Sequence, residues 1–222
     1  MAKHLQREVE NLKKMLLTLC GKVEENLFQA VHSVKNHDAI IAQKIIETDD
    51  EIDQMEVEIE EECLKILALH QPVAIDLRFI ITAMKINNDL ERIGDLTVNI
   101  AERSVFLAGQ NHTGIPFDFE QMATKTQLMV KQSIDSLVNM DCNLAFKVCQ
   151  EDDQVDAINS QIYEQFKDQV QTNPDQVNHL LHLLSISRHL ERIADHATNI
   201  AEDVIYMANG QIVRHRTEEY KA

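Results

Sequence analysis

Four pairs of acidic residues spaced by four punctuate this 222-residue chain: Asp49 and Asp53 in TDDEID, Glu91 and Asp95 in LERIGD, Asp152 and Asp156 in EDDQVD, Glu191 and Asp195 in LERIAD. On a helix, a spacing of four sets both carboxylates on one face, on successive turns. Like charges so placed destabilise an isolated helix by roughly 0.2–0.5 kcal/mol per pair. Writing the pattern four times is therefore unfavourable unless a cation compensates it. Oxygen-only donors suit hard or borderline ions such as Mg²⁺, Mn²⁺, Ca²⁺, Fe or Zn²⁺, and spacing does not choose among them. The plain alternative is a solvated acidic face with arginines nearby, here Arg92, Arg103 and Arg192.

Repetition weighs against the plain reading. LERIGDLTVNIAE at 90–102 returns as LERIADHATNIAE at 190–202 with nine of thirteen letters kept, and AQKIIETDDEID at 42–53 returns as AFKVCQEDDQVD at 145–156. The chain is an internal duplication. Its offset is 103 residues at the upstream motif and 100 at the downstream one, so the second copy lacks three residues between them, which belongs in a loop. At about 100° per residue, Glu91, Asp95, Asn99 and Glu102 fall within about 80° of one another, with Leu90, Ile93, Leu96 and Ile100 opposite. The recurring letters include that polar stripe, which a bundle core alone does not demand. Asn99 and Asn199 can add carbonyl ligands or outer hydrogen bonds.

The elements that must position these groups follow from composition and punctuation. Five glycines, three prolines, no tryptophan and 44% hydrophobic residues describe an all-α chain with enough apolar material for a real core. His70-Gln71-Pro72, Thr172-Asn173-Pro174-Asp175 and the stretch GQNHTGIPF break the pattern into six helices, near 3–35, 38–69, 73–108, 118–139, 142–171 and 175–208. The expected fold is two tandem three-helix bundles related by internal duplication: a first repeat at 1–109, a linker at 110–117, a second repeat at 118–209, and a fraying tail at 210–222. An up-down-up order sets the second helix of each repeat antiparallel to the third. The aspartate pair of one and the glutamate–aspartate pair of the other then converge as four carboxylates.

Other chemistries find little footing. A net charge of −16 opposes nucleic acid and favours cations or basic protein surfaces. MAKHLQREVENLKK is charged with no apolar centre, and no stretch approaches about 18 uninterrupted apolar residues, so the expected location is the cytosol. Cys20, Cys63, Cys142 and Cys149 have no CxxC spacing and read as reduced thiols. His182, His189 and His196, seven apart, read as flank residues of the last helix, away from the carboxylates. No Glu-x-x-His of the ferritin-like kind and no phosphate-cradling glycine loop occurs. A metal-dependent phosphoesterase remains the enzymatic alternative, though no base, nucleophile or cationic clamp is evident beside the stripe. A purely structural helical scaffold is the other.

Two three-helix repeats carrying TDDEID or EDDQVD on the middle helix and LERIxDxxxNIAE on the last, with QPVAIDLRFI at 71–80 and LCGKVEENLFQAV at 19–31, resemble the PhoU family of phosphate-uptake regulators. The resemblance spans nearly the whole chain. It implies a cytoplasmic, non-enzymatic adaptor, often a homodimer, between the ATPase subunit of a phosphate ABC transporter and a sensor histidine kinase. Such an adaptor represses the phosphate-starvation response and reaches the inner membrane only through its partners. It also implies metal ions of unspecified identity (Fe, Mn, Mg or Zn) held by Asp49, Asp53, Glu91 and Asp95 in the first repeat and by Asp152, Asp156, Glu191 and Asp195 in the second. The second repeat has QTNPDQVNHL where the first has HQPVAIDLRF, so Asp76 and Arg78 lack clear counterparts.

Overall fold

The computed structural model describes residues 2–110 and 114–213; linker positions 111–113 and tail positions 214–222 lie outside the described residues. The chain runs α1 (Ala2–Asn36), α2 (Ala39–Glu47), α3 (Asp49–His70), α4 (Ala74–Ala108), α5 (Phe119–Asn139), α6 (Cys142–Thr172), a 3-10 turn (Pro174–Gln176) and α7 (Val177–Asn209). In the first repeat α2 and α3 together occupy the place of one expected helix.

The duplication extends to how helices stop and start. α1 ends on His37 at φ 53°, and α5 ends on Met140 at φ 51°. In each case the next amide closes back five residues, Asp38 N–H to Ser33 O and Asp141 N–H to Ser136 O, both 2.9 Å. That is a Schellman stop. The same aspartates then cap the following helix: Asp38 Oδ1 accepts from the Ile40 and Ile41 amides at 3.0 Å, and Asp141 Oδ1 from Asn143 and Leu144 at 2.9 and 3.1 Å. Each cap contributes about 1 kcal/mol.

The copies diverge at Thr48. Its Oγ1 donates to Lys44 O at 3.1 Å and Ile45 O at 3.2 Å, and its backbone leaves the helical region at φ −99°, ψ 6°. A hydroxyl that claims carbonyls of the preceding turn bends or breaks a helix. The counterpart is Glu151, which has no such hydroxyl, and α6 runs through it unbroken.

Both repeats share one apolar core whose axis is the antiparallel pair α4 and α7, the most extensive interhelix contact. The pairs Lys85–Asp203, Asp89–His196 and Phe106–His182 fix the antiparallel register. Leu90, Ile93 and Ile100 on α4 and Leu190, Ile193 and Ile200 on α7 are fully buried. Each such side chain stabilises the fold by about 1.5–3 kcal/mol relative to exposure. α1 supplies Leu12, Leu16, Leu19, Val23 and Leu27 at spacings of three and four, as a helix packed on one face must.

Two buried polar ties seat the carboxylate helices. Asn87 Nδ2 donates to Glu56 O at 2.9 Å, joining α4 to α3, and at the duplicated place Ser187 Oγ donates to Asn159 Oδ1 at 2.9 Å, joining α7 to α6. At the C-terminal end of α7, Gly210 adopts φ 74° and its amide closes on Tyr206 O at 2.8 Å. A Cβ there would stand 2.4 Å from Arg78 Nη1. Gly210→Ala is therefore expected to cost about 1–2 kcal/mol, combining left-handed strain with a displaced guanidinium; urea denaturation showing no loss would contradict that.

Candidate metal centre

The break at Thr48 makes Asp49 the first residue of α3 and lays Asp49 and Asp53 along α4. One oxygen from each of Asp49, Asp53 and Asp95 lies within 4.8 Å of the others, the one such trio of potential ligands among the described residues. Glu91 stands one turn before Asp95, electrostatically coupled to Asp95, Asp53 and Glu56. Glu56 belongs to the same acidic neighbourhood, feeling Asp53 and Glu60, although the sequence reading passed over it. The visible signal was its place one further turn along the aspartate face.

Two of these carboxylates are poorly served. Asp49 Oδ1 and Glu91 Oε2 are buried without a hydrogen-bond partner. An unsatisfied buried acceptor is costly, and a cation is one group that satisfies several at once. The nearby cation of the chain itself is Arg92, whose Nη1 lies 3.1 Å from Asp95 Oδ2 and whose Nε lies 3.3 Å from Glu91 Oε2. Its side chain is half exposed, so that pairing is weak and exchangeable. The donor set therefore fits a hard divalent or trivalent ion.

In the second repeat Asp152, Asp156, Glu191 and Asp195 also share one face between α6 and α7, mutually coupled but without an equally tight trio. Asp152 Oδ1 is buried and unpartnered, as its counterpart Asp49 is. Glu56 is replaced by Asn159, which lies beside Glu191, and the Thr198 hydroxyl near Asp152 is buried without a hydrogen-bond partner. This site has one carboxylate fewer. Asn99 gives its amide to Asp95 O at 2.8 Å and Asn199 gives its own to Asp89 Oδ1 at 3.3 Å, so both are partly committed elsewhere.

Burial and acidic neighbours push Asp49 and Asp152 each up to about 6. Glu91, Glu191 and Asp195 are raised by the same causes. Between the ordinary aspartate value and about 6 the folded chain then binds more protons than the unfolded one, so stability falls as pH rises through that window. His189 opposes this, as does His182: burial and Arg103 lower both, His189 to about 4, so this contribution rises with pH over an overlapping window. Carboxylates outnumber them, and the metal-stripped chain is expected to melt lower at pH 7 than at pH 5. Asp49→Asn/Asp152→Asn should flatten or invert that difference in paired thermal scans.

The last-helix histidines do not all stay on a flank. His196 crosses to α4, with Nδ1 2.8 Å from Asp89 Oδ1, while His182 stacks on Phe106 at 3.8 Å between ring centres. No spacing within α7 announces this, because it depends on which face α4 presents. Gly94 was also passed over. A Cβ on it would lie 3.2 Å from Ile52 Cγ2, so its lack of a side chain lets α3 approach α4 beside Asp95. In the second repeat Ala194 and Val155 stand at those two positions, and the tight trio is absent there.

The duplicated sequence and the fold are shared with known proteins. The sequence pattern described as PhoU domain matches twice, at residues 16–104 and 119–204. A phosphate-specific transport system accessory protein PhoU homolog of Clostridium acetobutylicum is 35% identical over 95% of this chain and 97% of its own length. The protein of the same description from Pseudomonas aeruginosa is 37% identical over 94% of this chain and 86% of its own. The crystal structure of PhoU from Pseudomonas aeruginosa superposes with a TM-score of 0.90 at 36% identity, covering 93% of this chain and 99% of that one. The phosphate transport system regulatory protein PhoU from Streptococcus pneumoniae gives 0.83 at 29% identity, with 94% and 99% covered. Duplicated helices, paired acidic motifs and full-length similarity agree: this chain belongs to the PhoU family.

Proposed function

We propose that this chain is a metal-binding regulator of phosphate transport that acts as an adaptor and not as an enzyme. It works in the cytoplasm, as a homodimer, linking the ATPase subunit of a phosphate ABC transporter to a sensor histidine kinase and holding the phosphate-starvation response down when phosphate is ample. The observation that carries the regulatory reading is full-length similarity, in both repeats, to proteins named for accessory and regulatory roles in phosphate transport. Among the described residues no helix is long and apolar enough to cross a membrane, which suits attachment through partners. The metal half of the reading is supported by the trio Asp49, Asp53 and Asp95 and by the unpartnered buried oxygens Asp49 Oδ1 within it and Glu91 Oε2 beside it.

Asp49, Asp53, Glu91 and Asp95 would hold an ion between α3 and α4, and Asp152, Asp156, Glu191 and Asp195 one between α6 and α7; its positive charge would relieve their repulsion and steady the outer surface that partners meet. The test is a strain lacking the gene and carrying a phosphate-starvation reporter. Wild-type chain should silence the reporter in abundant phosphate, whereas a variant with Asn or Gln at Asp49, Asp53, Glu91, Asp95, Asp152, Asp156, Glu191 and Asp195 should fail while remaining helical. Silencing by that variant would remove metal from the mechanism. Steady phosphoester turnover by purified wild type with Mn²⁺, lost in Glu91→Gln, would instead favour a hydrolase.

A further inference from the structure

The two ends of the α4–α7 seam are related by the 100-residue offset of the duplication, so each side chain at one end has a counterpart at the other. At the first end the charges are paired: Lys85 Nζ lies 3.4 Å from Asp203 Oδ1, and Asp89 Oδ1 receives His196 Nδ1 at 2.8 Å and the Asn199 amide at 3.3 Å. At the second end Asp203 is replaced by Arg103, Asp89 by His189, Lys85 by Ser185 and Thr82 by His182. Both acids have become bases, and the lysine they balanced has become a neutral hydroxyl.

Arg103 stands one turn before Phe106, whose ring stacks on His182, and the register fixed by Lys85 and Asp203 sets it opposite Ser185; its charge is felt by both His182 and His189. Its guanidinium is about one-third exposed and its ion pair is with the adjacent Glu102 at 4.0 Å, the outer limit of such a contact. Glu102 is itself half exposed, so little of the arginine's charge is neutralised. Arg188 and Arg192 add positive potential at the same imidazole. Ser185 Oγ lies 3.2 Å from His189 Nε2, and Nδ1 of His182 and of His189 has no hydrogen-bond partner. In a chain of net charge −16 this is a local concentration of cationic and neutral polar groups, reached from solvent through the partly exposed Arg103 side chain.

We propose that Arg103, His182, Ser185 and His189 form a binding site for a small tetrahedral oxyanion of the phosphate or sulfate class. The planar guanidinium offers two parallel N–H groups to two anion oxygens, the geometry that favours arginine at phosphate sites. Ser185 and neutral His189, hydrogen-bonded to each other, keep one donor between them for a further oxygen, either the hydroxyl or Nδ1–H, and the neutral imidazole of His182 supplies another. The anion supplies to Arg103 what Asp203 supplies to Lys85 at the opposite end. None of this requires metal in the acidic clusters, and the site stands or falls separately from them.

The experiment uses the full chain, stripped of metal by chelator and exchanged into chloride buffer at constant ionic strength, titrated calorimetrically with inorganic phosphate and separately with sulfate. Wild type is expected to bind with one-site saturation. Arg103→Gln should weaken binding by about tenfold or more, as removal of a charged hydrogen-bonding partner does, and Arg103→Lys should fall between. Lys85→Gln, altering the counterpart end, should bind as wild type does. Sedimentation with vesicles containing phosphatidic acid, against phosphatidylcholine alone, separates a lipid phosphate from the free ion: Arg103-dependent capture by the former would support the same oxyanion chemistry on a membrane source. No response to phosphate, sulfate or phosphatidic acid, or an equal response in folded Arg103→Gln, would overturn the site.

Discussion

Asp53→Asn/Asp95→Asn is expected to lose saturable Mn²⁺ or Fe binding at the first cluster and, when stripped of metal, to melt at a higher temperature than wild type. The two effects have one cause. In the metal-free chain, Asp49 is pushed up to about 6 by burial and by Asp53, Asp95 and Asp50, so the cluster stores repulsion at neutral pH. Two amides relieve that repulsion and offer N–H donors to Asp49, whose Oδ1 lacks a partner. The same change turns two of the three convergent carboxylates into neutral amides, whose carbonyl oxygens are much weaker ligands for a hard cation. Outer partners of a metal ligand alone are worth about 10–100-fold in affinity, so neutralisation of two direct donors should exceed about a hundredfold. Asp156→Asn/Asp195→Asn should produce a smaller change, since that site lacks the equally tight trio. Calorimetry with thermal melts decides this: unaltered metal affinity together with a lower melting temperature would make these carboxylates a stabilising surface and nothing more.

The second large effect is expected at Gly94. Gly94→Leu places a branched side chain where a single Cβ already lies 3.2 and 3.4 Å from Ile52. Ile52 is buried in a core that packs as closely as protein interiors do, so the added side chain pushes α3 away from α4. Overpacking of this kind costs about 1–3 kcal/mol. The displacement carries Asp49 and Asp53 away from Asp95, so metal affinity should drop although no acidic residue has changed. A control is written in the chain itself. The second repeat has Val155 and Ala194 where the first has Ile52 and Gly94, one methyl shifted from one helix to the other. Ile52→Val/Gly94→Ala should therefore fold with near wild-type stability. Equal metal affinity in Gly94→Leu and wild type would show that helix separation does not govern the cluster.

What could be read in advance and what could not divide along physical lines. The duplication was legible because polar letters recur with apolar ones: Glu91, Asp95, Asn99 and Glu102 return as Glu191, Asp195, Asn199 and Glu202. Helix periodicity then gave the faces, and proline-bearing breaks gave the lengths. The interruption at Thr48 was hidden because a threonine inside a helical pattern is ordinary, and whether its hydroxyl bends the backbone depends on carbonyls that periodicity does not describe. Gly94 was hidden for a related reason. Its role is an approach between two helices, visible only once Ile52 faces it. Asp89 with His196 could not be paired either, since each residue joins a different repeat and the pattern within one helix names a face without naming the neighbour across it.

The duplicated architecture has a consequence for dose response. A symmetric assembly of single repeats is obliged to carry identical sites, because one gene segment writes both. Fusion of the repeats releases that constraint, and here it has been used: a broken helix, a glycine contact and an extra glutamate on one side, a continuous helix, an alanine and an asparagine on the other. Under the metal-binding reading proposed above, two unequal sites would fill in succession as metal rises, so the chain would pass through a half-loaded form over a range in which identical independent sites would fill together. A regulator loaded in that way would distinguish scarce, adequate and abundant metal, where a symmetric one would report only the crossing of a single threshold.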